Sequence, residues 1–239
     1  MTTSPQLNRR TFLRRTSVAL AAPFVARGWM RSAPNSRLLH ASFGASGMAW
    51  ADLTTIARHP AVELVALADV DLTKFADAKK TFPKARLYQD WRKLFDQEKN
   101  LDTVNVSTPD HMHAPIAMTA LHLGKHVYCQ KPLTHDLYEA RQLTRAARDQ
   151  KRVTQMGIQI HSGSEYRTAV KRIQDLSIGK VREVHTWSGK KWGDTDPLPN
   201  RTDPVPEGLD WDLWLGVCQA RPFIGEGYYH PANWRKRID

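Results

Sequence analysis

The chain reads as an α/β protein with an amino-terminal doubly wound parallel sheet, followed by the beginning of a second α/β domain. Three observations predict this. From Arg37 to Gly157, short β-rich runs alternate with longer helical patterns, the rhythm of parallel strands joined by helices. Gly44, Asp69, Pro109 and Pro132 each follow a strand-like run, at the edge where doubly wound sheets place their ligands. The 239 residues, 41% hydrophobic and 25% charged, suit one large domain or one domain and part of another.

In order, "RLLHASF" reads as a strand, "GMAWADLTTIARH" as a helix and "AVELVALADV" as a strand reaching Asp69. "DLTKFADAKKTF" reads as a helix, "ARLY" as a short strand and "DWRKLFDQE" as a helix capped by Asp90. The strand "DTVNVST", helix "HAPIAMTALHLG", strand "KHVYCQ", helix "HDLYEARQLTRAARDQ" and strand "RVTQMG" follow. Beyond them a helix is expected over "EYRTAVKRIQDLSIG". "KVREVHTWSG" alternates like a half-exposed strand of a different sheet. The expected domains are residues 1–36 as signal and linker, 37–160 as a nucleotide-binding domain and 161–239 as the start of a second domain.

Residues 1–36 hold six arginines and no acid, so they carry more than half of the formal charge of +11. The remainder is mildly basic with interspersed acids, which argues against a nucleic-acid partner. In "NRRTFLRRTSVALAAPFVA", Arg9 and Arg10 precede an apolar run too short to span a bilayer, the pattern of a Tat export signal. A basic amphipathic helix at a membrane surface is the competing reading. Tat carries folded proteins, so the address predicts a periplasmic product that loads a cofactor before export, with no membrane association afterwards. Cys129 and Cys218 make neither a disulfide framework nor a zinc cluster, and read as structural.

The first strand feeds "FGASGMAWADL". A dinucleotide fingerprint needs glycines for a tight turn and for close approach of the backbone to a pyrophosphate. Here Gly44, Ala45, Ser46, Gly47 and Met48 occupy the turn, with Ser46 where the second glycine would stand. Asp69 closes the second strand, where a carboxylate accepts both ribose hydroxyls; it favours NAD and repels the 2′-phosphate of NADP. In "VSTPDHMHAP", Ser107 and Thr108 are placed to bond phosphate or ribose at the loop begun by Pro109, and His111 and His113 to cap the helix or face the ligand. Two histidines at i, i+2 make a poor zinc site, so no metal is expected. "VYCQKP" brings Gln130 and Lys131 to the same edge, with Lys131 towards the nicotinamide end.

The run "VSTPDHMHAPIAMTALHLGKHVYCQKPLTHDLYEARQL", together with the Gly44 turn and "ALADVD", resembles the Gfo/Idh/MocA oxidoreductase family, in its Tat-exported branch. The resemblance implies a Rossmann domain binding NAD(P). It also implies a carboxyl-terminal α/β domain whose open, largely antiparallel sheet carries a sugar site and homo-oligomer contacts. The family's Glu-Lys-Pro motif falls on Gln130, Lys131 and Pro132, which makes Lys131 the catalytic candidate beside a proline that is often cis. The resemblance also implies a catalytic histidine beyond Asp239, so the chain is expected to be truncated. In "TQMGIQIHSG" the branch's Asn-Gln-Gly becomes Ile158, Gln159 and Ile160, leaving Gln159, His161 and Tyr166 as sugar contacts. Trp192, Trp211, Trp214 and Trp234 offer faces to a pyranose, although "LDWDLWLG" fits a structural clamp better.

The expected function is hydride transfer between a sugar or polyol carbinol and nicotinamide. Two alternatives stand beside it: an NAD-dependent glycoside-cleaving enzyme working by oxidation, elimination and hydration, and a non-catalytic dinucleotide-binding fragment.

Overall fold

Six strands pair into one parallel sheet: β1 (Leu38–Phe43), β2 (Val62–Ala68), β3 (Arg86–Tyr88), β4 (Thr103–Val106), β5 (His126–Gln130) and β6 (Thr154–Gly157). The computed structural model describes residues 37–189, 193, 197–230 and 233–236; the expected export signal and Trp192 lie outside them. The strand order is β3-β2-β1-β4-β5-β6, so the chain reverses direction across the sheet after β3 and opens a crevice between the carboxyl ends of β1 and β4. The helices are α1 (Met48–Ile56), α2 (Ala76–Thr81), α3 (Trp91–Gln97), α4 (His113–His122), α5 (Leu137–Asp149), α6 (Ser164–Gln174) and α7 (Trp211–Leu215).

The strands' apolar runs divide between two clusters. Ala66 and Ala68 of β2 join Phe43, Val104, Val106, Ile116 and Leu121, whereas Leu64 and Leu67 join Leu53, Phe75 and Ala78. A sheet covered by helices on both faces needs this two-sided burial. A third, aromatic cluster of Trp214, Phe223 and Tyr229 with Leu209, Leu215 and Ile224 packs with the half-buried Val70, just beyond the end of β2.

The caps follow the expected chemistry. Asp90 accepts the Arg92 amide at the start of α3, Asp136 the Glu139 amide at α5 and Asp210 the Leu213 amide at α7. Three elements differ from expectation. Residues 71–82 do not form one helix: Asp71 accepts from the Thr73 amide and turns residues Leu72–Phe75 into a 3₁₀ segment before α2. α6 stops at Gln174 rather than Gly179. Leu176 takes φ 58°, its amide bonds the Ile173 carbonyl and the Ser177 amide bonds that of Arg172, which closes the helix without a glycine. The expected strand over residues 180–189 is absent. A strand needs a neighbouring strand to pair with and an apolar surface to cover; among the described residues no strand pairs with this stretch, and Val184 and Trp187 are 73% and 89% exposed.

Candidate functional site

The turn after β1 is built so that backbone, not side chain, faces the crevice. Gly44 has φ 101°, and a Cβ there would lie 2.7 Å from the Ala49 Cβ and 2.8 Å from the Ser107 carbonyl oxygen. Only glycine meets both demands. Its amide bonds the Ala68 carbonyl at 2.7 Å, joining the ends of β1 and β2. Gly47, at φ 56°, precedes α1, and a Cβ there would meet nothing within 4 Å. No side chain caps α1, which leaves its first amides for an anion. Ser46 does not obstruct the turn: it is exposed at the cavity wall.

Asp69 Oδ2 accepts the Ala45 amide at 2.9 Å and Oδ1 the Asp71 amide at 3.0 Å. Each oxygen keeps a second acceptor site for a ribose hydroxyl. Burial pushes the Asp69 carboxyl above its ordinary range, against the pull of those two amides. Asp71 is held below the ordinary range: burial would raise it, but the bonds from Thr73 and His230 outweigh that.

A cavity of about 560 Å³ lies over these groups, bounded by Gly44, Ser46, Gly47, Met48, Asp69, Ser107, Thr108, Pro109, His113, Gln130 and Lys131. The structure therefore gathers most of the residues expected to hold a cofactor. It sets Ala45 behind the wall, 1% exposed, and turns His111 away to bond the Trp214 carbonyl at 2.8 Å. Several of the gathered side chains are already engaged. Ser107 donates to Asp52 at 2.8 Å, and the His113 ring nitrogens sit 2.6 Å and 2.9 Å from the carbonyls of Pro132 and Thr108. His113 thus ties the loop after β4 to the loop after β5.

Gln130 spans from the Asp52 carboxylate, to which its Nε2 donates at 2.8 Å, to the Lys131 amide, accepted at 2.9 Å. The Lys131–Pro132 bond is cis, as the resemblance implies. The exposed Lys131 ammonium makes no hydrogen bond among the described residues, and Lys131 also borders a second cavity of about 890 Å³. Asp110, Trp214, Trp234 and Arg235 border both cavities with it.

The expected sugar contacts stand elsewhere. Gln159 bonds Asp52 and Tyr128, each at 3.3 Å, and His161 stacks on Tyr166; none of the three borders either cavity. Trp214 is 6% exposed and stacks on Trp211 at 4.7 Å, in line with the clamp reading. Sequence reasoning missed Asp52, although Ala49, Asp52 and Leu53 form an inward i, i+3, i+4 stripe with an acid in it. It named Trp214 and Trp234 but missed how residues 208–230 and 233–235 are held against the sheet to form a wall of the cavity. There Gly208 accepts the Leu72 amide, His230 pairs with Asp71 at 3.1 Å and Arg235 with Asp110 at 3.1 Å. No local signal announces contacts between segments so distant in sequence.

Comparisons with known proteins agree with this geometry. The model of an oxidoreductase family with an NAD-binding Rossmann fold matches residues 40–158. Levoglucosan dehydrogenase of Pseudarthrobacter phenanthrenivorans is 30% identical over 122 residues, covering 51% of this chain and 30% of that protein. Inositol 2-dehydrogenase/D-chiro-inositol 3-dehydrogenase of Lactiplantibacillus plantarum is 30% identical over 161 residues, 62% of this chain and 46% of that protein. The crystal structure of GenD2 from gentamicin A biosynthesis, in complex with NAD, superposes with a TM-score of 0.56 at 26% identity, covering 61% of this chain and 41% of that one. The matched part of this chain thus spans less than half the length of each of these proteins.

Proposed function

Residues 40–158 place this chain in the Gfo/Idh/MocA oxidoreductase family, and from that premise we propose that it binds NAD and transfers hydride between it and a sugar or polyol carbinol. The observation that carries the proposal is the position of Lys131: an ammonium without a hydrogen-bond partner among the described residues, where a dinucleotide-sized crevice meets a second cavity. The chain's own groups fit the cofactor. The Gly44–Gly47 turn and the first amides of α1 hold the pyrophosphate, and Asp69 takes the ribose hydroxyls. Lys74 pairs with Asp71 at 3.3 Å, so this cation is already matched and offers a 2′-phosphate little; the reading is NAD rather than NADP.

Bound nicotinamide supplies the hydride acceptor. Lys131 donates to the oxygen of the reacting carbinol, which orients the C–H bond and stabilises the negative charge that builds on that oxygen. Gln130 fixes the Lys131 backbone, and His113 fixes the loop opposite. The relatives named levoglucosan and inositol dehydrogenases support a small carbohydrate as substrate.

The test is a nucleotide assay on denatured extract of the purified chain, with NADH titration. Asp69→Ala is expected to weaken NADH binding roughly 100-fold or more, the loss of two charged hydrogen bonds at about 1.5–3 kcal/mol each. Lys131→Ala should keep the nucleotide and lose turnover. No nucleotide in the wild-type extract and no NADH binding would overturn the reading.

The twin arginines Arg9 and Arg10 support Tat export to the periplasm, in the exported branch of the family. A reporter fused behind residues 1–36 should reach the periplasm, and Arg9→Lys/Arg10→Lys should retain it in the cytoplasm. Assembly into a homo-oligomer is supported by exposed apolar residues such as Ile173, Leu176 and Val184; a monomer by light scattering would refute it for this chain.

A further inference from the structure

We propose that Asp52 is the positioning residue of this site: its buried carboxylate locks the turn after β4 and the turn after β5 into one arrangement, and so sets where Lys131 meets cofactor and substrate. Asp52 lies on α1 and is 6% exposed. Its Oδ2 accepts from Ser107 Oγ and Gln130 Nε2, both at 2.8 Å, and its Oδ1 from Gln159 Nε2 at 3.3 Å and Tyr128 OH at 3.4 Å. One carboxylate therefore gathers the carboxyl ends of β4, β5 and β6 onto the helix that begins at the glycine turn. All four donors are neutral. Burying a carboxylate without a cation costs folding energy, so a leucine would serve packing better; what leucine lacks is four acceptor sites in fixed directions.

The network runs on in both directions. Ser107 accepts from Asn105 at 3.1 Å, Asn105 Oδ1 lies 2.9 Å from His40 Nε2, and His40 Nδ1 lies 2.7 Å from Thr103 Oγ1, all beneath the crevice in β1 and β4. On the other side Gln130 accepts the Lys131 amide. This explains why glutamine replaces the motif's glutamate. With Asp52 in place, a glutamate in the position of Gln130 would bring two carboxylates to hydrogen-bond distance, whereas an amide donates to Asp52 and accepts from Lys131 at once. Gly157 belongs to the same device, since a Cβ there would lie 2.7 Å from Tyr128 OH and 3.0 Å from Gln130 Nε2.

The catalytic meaning of the inference rests on the hydride-transfer reading; its geometry does not. The experiment is amide hydrogen exchange by NMR on the whole chain, comparing Lys131 with Val127 in the interior of β5, alongside NADH titration. Asp52→Leu is expected to speed Lys131 exchange about tenfold relative to Val127 and to weaken NADH binding on the order of tenfold. Asp52→Asn should keep Lys131 protected, because its Oδ1 can accept from Ser107 and Gln130 while its Nδ2 donates to Tyr128. Leu53→Ala, one residue along α1, should speed exchange generally without singling out Lys131. Gln130→Glu should loosen Lys131, and Asp52→Asn/Gln130→Glu should restore it by exchanging amide and carboxylate. If Asp52→Leu does not fold, Gln130→Leu must show the same selective loosening. Unchanged Lys131 exchange relative to Val127, or no restoration in the double variant, overturns the inference. Failure of the wild-type chain to bind NADH overturns the hydride-transfer reading instead, and the exchange data still decide the role of Asp52.

Discussion

His40 shows how far the neighbourhood of a single side chain can depart from its sequence context. It sits in β1, 2% exposed, between Thr103 and Asn105, and burial lowers its pKa to about 4 from 6.5; the bonds to Asn105 and Thr103 oppose this only in part. The unfolded chain therefore binds a proton that the folded chain refuses. Stability from this group is complete above pH 6.5 and falls as pH drops from there towards 4, by roughly 3 kcal/mol in all. Urea unfolding at pH 7, 6 and 5 should show the slope, and His40→Val should flatten it between pH 6.5 and 5, before most carboxylates titrate. Gly44 is constrained by shape rather than charge. Gly44→Ala forces a Cβ against the Ala49 Cβ and the Ser107 carbonyl at a positive φ, so NADH binding should be lost and the melting temperature lowered.

Pairing between elements carries its own electrostatics. Glu98, at the end of α3, bonds Arg86 and Tyr88 of the short strand β3. The Arg86 guanidinium, with Tyr88, holds the Glu98 carboxyl below its ordinary 4.5 against the effect of burial. Stability from this pair is complete above pH 4.5 and is lost as pH falls through the lowered value. Glu98→Gln should cost about 1–3 kcal/mol at pH 7 and remove that acid-side loss, measured by unfolding at pH 7 and pH 3. At the other edge, Gly157→Ala in β6 should displace Gln130 from Asp52. Its signature is loosening at Lys131 with β3 and α3 unaffected.

On the scale of the whole molecule, residues 208–230 and 233–235 pack over the carboxyl edge of the sheet. Asp210 donates its amide to the Val70 carbonyl, Gln89 donates to the Val70 and Gly208 carbonyls, and Trp214 lies inside the aromatic cluster that walls both cavities. Trp214→Ala should cost about 3–5 kcal/mol and weaken NADH binding, since it empties the cluster that holds this wall. Calorimetry and NADH titration on the same preparation check both effects.

The alternating β and α patterns, the glycine turn, Asp69 and the Gln130-Lys131-Pro132 stop were legible in the sequence by itself. Periodicity, turn chemistry and strand ends are short-range properties that neighbouring residues dictate. Tertiary structure alone decided what those residues do: Ser107 and His113 hold loops together with their side chains, Gln130 acts from Asp52, and Leu176 ends a helix that looked longer. It also decided that Asp52 meets Gln130 across 78 residues, His111 meets Trp214 across 103 and Asp71 meets His230 across 159. Such contacts arise only when the sheet order brings distant strand ends to one edge, and no local pattern in the chain encodes which side chain will be waiting there.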